Sequence, residues 1–321
     1  MRFDFVHCHG SGNDFPLIDA RGIALRDEDW AIVARALADR RGPVGGDGLL
    51  LLGEGDGDCA FSMVMRNSDG SEAETCLNGL RCVARAGFAA LAIDAARVRL
   101  KTSVAEVARE PDVAPGVYGV REVAGPASLD AGAWPLGGHV RLVEAPLAEL
   151  SSSLAFTAVA MPNPHLVAFV EAVDEAALCR AGEACEAAPA WVPNRANVSF
   201  AEMREGVSGT RDLFVQTFER GVGLTDSCGS AMAASTYAAC LTGRVAWDAP
   251  ITVFNRGGLV RAQASADAMV TIIGNATWEY AGAIDVDLSS GAASGLVVHE
   301  RFGAEVAAWE LAAGKPSGER M

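Results

Sequence analysis

Short apolar runs, many alternating with polar residues, recur along the chain between clusters of Gly, Asp and Asn. Alternation with a period of two predicts strands, and an apolar stripe with a period near 3.6 predicts helices. On that basis residues 2–8 and 15–19 are strands, joined by the turn Gly10-Ser11-Gly12-Asn13-Asp14. Residues 27–39 read as a helix with acidic residues in its first turn. Residues 48–52 and 59–66 read as strands. A polar loop, 67–75, runs into a helix over about 76–93, and further strands reach residue 124. Residues 125–138, rich in Gly, Pro and Ala, predict a linker.

The order then recurs. Residues 156–161 and 166–170 are strands around a turn, Pro162-Asn163-Pro164-His165, in which His165 reads as a turn residue. A helix over 173–184 and strands over 196–200 and 213–218 follow. A second polar loop, 219–227, leads into a helix over 228–241, and strands fill 250–283. A helix near 304–313 closes the chain. In each half a turn holding an Asn, Asn13 or Asn163, precedes a Cys, Cys76 or Cys228, at nearly the same interval. Each Cys ends a polar loop and opens an alanine-rich helix. Two copies of one unit predict a duplicated α/β (α+β) fold with a cleft between pseudo-symmetric halves.

The paired cysteines suggest chemistry. A thiol at a helix N-terminus feels the positive end of the dipole, which favours its thiolate. The amides that follow, at Leu77-Asn78-Gly79 and Gly229-Ser230, can hold an anion. A carboxylate gripped by both helix ends would place its α-carbon between two thiols. One thiolate could remove the α-proton while the other thiol delivers a proton to the opposite face. The developing charge would spread into the carboxylate, where fixed amides stabilise it. Such chemistry calls for no pyridoxal, flavin or metal, so no cofactor is expected.

Composition narrows the alternatives. The 321 residues carry 41 acidic against 26 basic side chains, a net charge of −15. A surface that negative repels phosphate backbones and argues against nucleic acid. Only Lys101 and Lys315 are lysines, which makes a Schiff-base enzyme improbable. No secretory signal or apolar stretch of about 20 residues is visible, so a cytoplasmic protein with no membrane span is expected. The eight cysteines are then free thiols, and without a C-x-x-C pair the usual zinc spacings are missing. Cys8, Cys59, Cys82, Cys179, Cys185 and Cys240 read as packed side chains. His7 and His9 flank Cys8, but alternation puts both on one strand face with Cys8 opposite, so no metal site is predicted.

Several motifs now line up. Residues 5–15 (Phe-Val-His-Cys-His-Gly-Ser-Gly-Asn-Asp-Phe), Gly45-Gly46-Asp47-Gly48, Asn67-Ser68-Asp69-Gly70-Ser71-Glu72 and Glu74-Thr75-Cys76-x-Asn78-Gly79-x-Arg81-Cys82 resemble the diaminopimelate epimerase family. So do Asn163-Pro164-His165, Asn197-Val198, Glu219-Arg220-Gly221-Val222-Gly223 and Cys228-Gly229-Ser230. No motif alone is specific, but together they fall in the family's order from residue 3 to about 283.

The resemblance implies two pseudo-symmetric domains, each a mostly antiparallel sheet wrapped around a central helix, with the active site between them. The halves would be residues 1–124, completed by 275–321, and residues 125–274. It implies interconversion of LL- and meso-diaminopimelate, with Cys76 and Cys228 as the acid–base pair. Leu77, Asn78, Gly229 and Ser230 would offer amides to the reacting carboxylate. Asn13, Asn67, Asn163, Asn197, Glu219 and Arg220 would bind the rest of the substrate, Arg220 by taking a carboxylate bidentately. The expected partner is a small amino-acid substrate, with a homodimer left open.

The chain also departs from the family pattern. Leu77, Pro162 and Ala231 stand where Gly is usual, and Leu224 where Glu is usual. Asp226, two residues before Cys228, would raise the pKa of that thiol. The residues alone leave open a racemase of the same fold for another polar amino acid, a thiol redox sensor, and a non-catalytic amino-acid binder.

Overall fold

The computed structural model describes residues 1–73, 76–150, 152–206 and 209–314. Along the chain come β1 (Arg2–Gly10), β2 (Asn13–Asp19), α1 (Asp27–Ala38), β3 (Gly48–Gly53), β4 (Phe61–Asn67) and α2 (Leu77–Leu91). Next are β5 (Ala95–Arg99), β6 (Val104–Glu110), β7 (Gly119–Ala124) and β8 (Ala145–Pro146). The early order repeats in β9 (Ala155–Ala160), β10 (Pro164–Val170), α3 (Glu175–Glu186), β11 (Asn197–Glu205), β12 (Arg211–Glu219) and α4 (Gly229–Leu241). The short β13 (Gly223–Thr225) lies between β12 and α4. The chain ends with β14 (Ile251–Asn255), β15 (Gly258–Ala264), β16 (Val270–Asn275), β17 (Thr277–Asp287), β18 (Ala292–Arg301) and α5 (Gly303–Ala312). It divides into two compact units, one of Met1–Glu122 with the chain from Ile273 onward, the other of Val123–Ile272.

In the first unit, β1 pairs antiparallel with β2 and β17, and β18 adds antiparallel to β17. The sheet continues through β3, β4, β5 and β6, with β2–β3 and β4–β5 parallel. It curls around α2, which touches every strand from β1 to β6. The opposite face is covered by α1, which buries Trp30, Val33 and Leu37 on one stripe and carries Asp27, Glu28 and Asp29 at its positive end. Strand β3 shows why the sequence reads as it does. Leu50 and Leu52 face α2 while Leu49 and Leu51 face α1, so a strand buried on both sides becomes an unbroken leucine run.

The second unit repeats the plan. Its sheet runs β8-β9-β10-β11-β12-β14-β15, with β10–β11 and β12–β14 parallel. Helix α4 lies inside the curl and touches β9, β10, β11, β12 and β15, while α3 covers the outer face at β11, β12 and β13. Every residue of α4 from Gly229 to Cys240 is buried. A helix enclosed on all sides has no polar stripe, and small residues let the strands close around it, which accounts for its Ala, Ser and Gly content.

Two stretches differ from the sequence expectation. Residues 125–138 do not form a loose linker. They contain a 3-10 turn, Ala131–Ala133, and bury Ala131, Trp134 and Leu136 in the core of the second unit. The chain after residue 285, which carried no resemblance, holds β18, and α5 inserts Trp309 against the His9 ring at 5.5 Å. Strand β18 pairs antiparallel with β17, from Asp287 opposite Ala292 to Tyr280 opposite Arg301, so this segment extends the first sheet.

Contact between α3 and β12 depends on Gly182, where an added Cβ would lie 2.1 Å from Cγ of Phe218. Gly182→Ala gains about 1 kcal/mol of helix propensity but overpacks a closed contact, which costs about 1–3 kcal/mol or more. The expected outcome is a net loss of stability, read as a Tm several degrees lower by calorimetry. An unchanged or raised Tm would show that α3 does not ride on Phe218.

Candidate active site

Strand directions gather the candidate residues. Because β1–β2 and β3–β4 are antiparallel and β2–β3 parallel, the end of β1, the starts of β2 and β3 and the end of β4 share one edge. The N-terminus of α2 lies at that edge: a Cβ on Gly10 would sit 2.5 Å from the Asn78 carbonyl oxygen, so this approach requires glycine. By the same pairing rules, the end of β9, the starts of β10 and β11 and the end of β12 share an edge of the second sheet. Asn13, Asn67 and Cys76 thus occupy in one unit the places that Asn163, Glu219 and Cys228 occupy in the other. Asn197, at the start of β11, corresponds to the start of β3.

In the first unit Cys76 is the N-cap of α2, with an extended backbone, and its Sγ accepts a hydrogen bond from the Gly79 amide at 3.3 Å. This is the role a Ser or Asp oxygen commonly plays, here taken by sulfur. The Asn13 Oδ1 lies 3.8 Å from the same Sγ. Its orientation is fixed because Asn13 Nδ2 donates to Asp47, whose carboxylate Arg40 also binds at 2.6 Å. Asp47 belongs to the quoted Gly-Gly-Asp-Gly motif, but its spacing gave no hint of what it holds. Asn67 donates through Nδ2 to Ser71 Oγ at 3.0 Å. Asn78 is buried, and its Oδ1 accepts from Arg81 at 2.7 Å. Glu74 and Thr75 lie outside the described residues.

In the second unit Cys228 is the N-cap of α4, its Sγ 3.5 Å from Ser230 Oγ. Gly229 and Ser230 form the first turn, whose amides have no acceptor within the helix. Glu219 accepts from Thr225 Oγ1 at 2.7 Å. Asn197 Oδ1 accepts from the Arg220 amide at 2.9 Å, which ties the start of β11 to the end of β12. The Arg220 side chain makes one hydrogen bond among the described residues, to the Asn194 carbonyl at 3.2 Å, and its remaining donors can serve a carboxylate.

His165 is not a turn residue. It is the second residue of β10, fully buried, and its Nε2–H tautomer donates to Asn163 Oδ1 at 3.0 Å. The Asn197 amide nitrogen lies 3.5 Å from the same Nε2 without a hydrogen bond in that tautomer. Burial, aided by the positive charge of Arg220, lowers its pKa to about 3, so the ring is neutral at working pH.

The electrostatics correct one expectation. Position at a helix N-terminus does not lower the Cys228 pKa. Burial drives it well above the usual thiol range, the carboxylate of Glu219 adds to the rise, and the Ser230 hydrogen bond opposes it. The carboxylate responsible is Glu219, whereas Asp226 is exposed. Cys76 is only partly buried. The protonated thiol is therefore the favoured form of Cys228.

None of the eight cysteines is in a disulfide, and Cys8 and Cys82 share the core around α2. His7 bonds Glu279 at 2.7 Å and the Gly45 carbonyl at 3.1 Å, and His9 lies 3.2 Å from Asn275 Nδ2. Among the described residues no group of three or more His, Cys, Asp and Glu is placed to hold a metal, and no helix is long and apolar enough to cross a membrane.

Comparison with known proteins identifies the chain's relatives. The family model for diaminopimelate epimerase matches residues 5–114 and 157–279. The diaminopimelate epimerase of Clostridium acetobutylicum is 36% identical over 294 residues, covering 89% of this chain and 87% of its own. That of Enterococcus faecalis is 37% identical over 283 residues, covering 84% and 85%. Among solved structures, a phenazine biosynthesis protein of the PhzF family from Bacillus anthracis has a TM-score of 0.64 at 12% identity, covering 89% of this chain and 100% of that one. A hydroxyproline epimerase from Agrobacterium vitis, with bound trans-4-hydroxy-L-proline, has a TM-score of 0.59 at 12% identity, covering 98% of each chain. At such identities the likeness is one of fold alone. The family model, however, reaches from β1 to β17 and takes in both thiol-capped helices: the chain belongs to the diaminopimelate epimerase family.

Proposed function

We propose that this isomerase interconverts LL- and meso-diaminopimelate by a two-base exchange, with Cys76 and Cys228 as base and acid. The observation that carries the reading is the occurrence of a thiol at the N-cap of the central helix in each unit. In the proposal one thiol comes from each half, residues 1–124 with 275–321 and residues 125–274. The setting is the cytoplasm, where thiols stay reduced.

The reaction needs a base that accepts the α-proton and an acid that supplies another to the opposite face. With Cys228 favoured as the thiol, Cys76 is the thiolate that removes the proton. Cys228 then protonates the α-carbon, and the two sulfurs finish with their protonation states exchanged. Between these steps negative charge passes into the substrate carboxylate. Amides of Leu77, Asn78, Gly229 and Ser230 are aimed where that charge grows, and one such donor is worth about 3 kcal/mol in other enzymes. Diaminopimelate carries a second amino-acid group. Asn13, Asn67, Asn163, Asn197, Glu219 and Arg220 supply amides, a carboxylate and a guanidinium to grip it.

Incubation of the reduced enzyme with diaminopimelate in D2O should replace the α-proton, followed by NMR. Cys76→Ala and Cys228→Ala should each abolish epimerisation while circular dichroism stays unchanged. Either variant turning over at the parent rate would end the two-base reading. A second measurement addresses Glu219. Its negative charge raises the Cys228 pKa, so Glu219→Gln should move alkylation of Cys228 by iodoacetamide to lower pH. An unmoved profile would mean that burial alone holds the proton on that sulfur.

A further inference from the structure

We infer that Arg81, locked in a buried pair with Glu122, is a positioning residue that sets both Asn78 and the Asn13 turn around Cys76. The inference rests on the role proposed for Cys76. Arg81 and Glu122 are both fully buried, 2.6 Å apart. The second Glu122 oxygen, Oε2, has no hydrogen-bond partner among the described residues. A buried pair of this kind is weak support for a fold, since well-packed apolar replacements are often neutral or stabilising by about 1–4 kcal/mol. Stability alone does not account for its presence.

The hydrogen bonds of Arg81 do. Nη2 donates to Asn78 Oδ1 at 2.7 Å and to Ser11 Oγ at 3.2 Å, while Nε donates to the Asn275 carbonyl at 3.1 Å. Asn275 in turn accepts from the Ser11 amide at 2.7 Å and donates to Thr277 Oγ1 at 2.8 Å. Ser11 and Gly12 are held with φ of 52° and 84°, and for Ser11 that is a costly left-handed conformation that its surroundings must impose. The next residue is Asn13, whose Oδ1 faces the Cys76 sulfur. One planar guanidinium thus ties the first turn of α2 to the turn carrying Asn13. Lysine, with a single ammonium, cannot reach these acceptors at once.

The test uses the full chain. Arg81→Lys keeps a cation against Glu122 and should lower kcat about 10- to 100-fold, as expected when catalytic groups shift by about 1 Å, with KM little changed. The pH profile of Cys76 alkylation by iodoacetamide, followed by peptide mass spectrometry without substrate, should shift. That of Cys228 should stay. Should Arg81→Lys fail to fold, Arg81→Met combined with Glu122→Leu replaces the pair by apolar side chains. This variant removes both buried charges together, so it should fold, at a stability lowered by the acceptors of Asn78, Ser11 and Asn275 that lose Arg81. It should show the same loss of kcat and the same Cys76-only shift. A folded variant with parental kcat and an unmoved Cys76 profile overturns the inference, as does a shift of both cysteines together. Failure of the parent enzyme to exchange diaminopimelate would count against the proposed function instead, and the substrate-free Cys76 profile would still decide the role of Arg81.

Discussion

A helix that begins inside a curled sheet must find partners for its first amides, and this demand organises both units. Four amides at a helix start have no acceptor within the helix. At α2 one of them is met by the Cys76 sulfur, and at α4 the equivalent cap position is again a thiol. Because each helix lies inside its sheet, the adjoining strand ends lie around its first turn. That is where Asn13, Asn67, Asn163, Asn197 and Glu219 sit. Small residues keep the enclosure closed, as at Gly10 beside Asn78 and along the whole of α4. The fold and the candidate chemistry therefore share one requirement.

The same enclosure decides the state of the second thiol. A helix terminus contributes about 0.3–1 kcal/mol, up to about 2 in favourable cases, or at most about 1.5 pKa units. Full burial can shift a group by about 3–5 units the other way. At Cys228 burial and Glu219 act together, and they win over the dipole. At Cys76 the sulfur is less buried and already accepts a backbone N–H. Two thiols at equivalent places in a repeat thus differ in burial and in hydrogen-bond partners.

Much of this was legible in the sequence where a single physical cause dominated. Leu49 to Leu52 had to be strand because no other element of that length buries both faces. The Asn-to-Cys interval recurred because the strand–strand–helix order recurs. Legibility failed where tertiary context overrode local composition. Residues 125–138 look like a linker by their Gly and Pro, yet Trp134 and Leu136 are buried. His165 looks like a turn residue beside two prolines, but the parallel pairing of β10 with β11 makes it a strand residue next to Asn197. A helix terminus predicts a lowered Cys228 pKa only where the thiol stays hydrated. The carboxylate that raises it, Glu219, is nine residues away in sequence, not two like Asp226. Asp47 and Arg81 were visible as letters, while their partners lie 34 and 41 residues away in Asn13 and Glu122.

The departures from the family pattern read differently once their surroundings are known. Leu77 occupies the first position of α2, but an anion held there meets the backbone amide and not the side chain. That side chain packs against the core beneath α2. Helical geometry at this position makes no demand for glycine. Leu224 lies in β13 opposite Phe218 and packs into the core of the second unit. The carboxylate close to Cys228 is therefore Glu219, held by Thr225, and a second acid at 224 is not needed to raise that thiol. Both leucines add apolar contact to the cores of their own units.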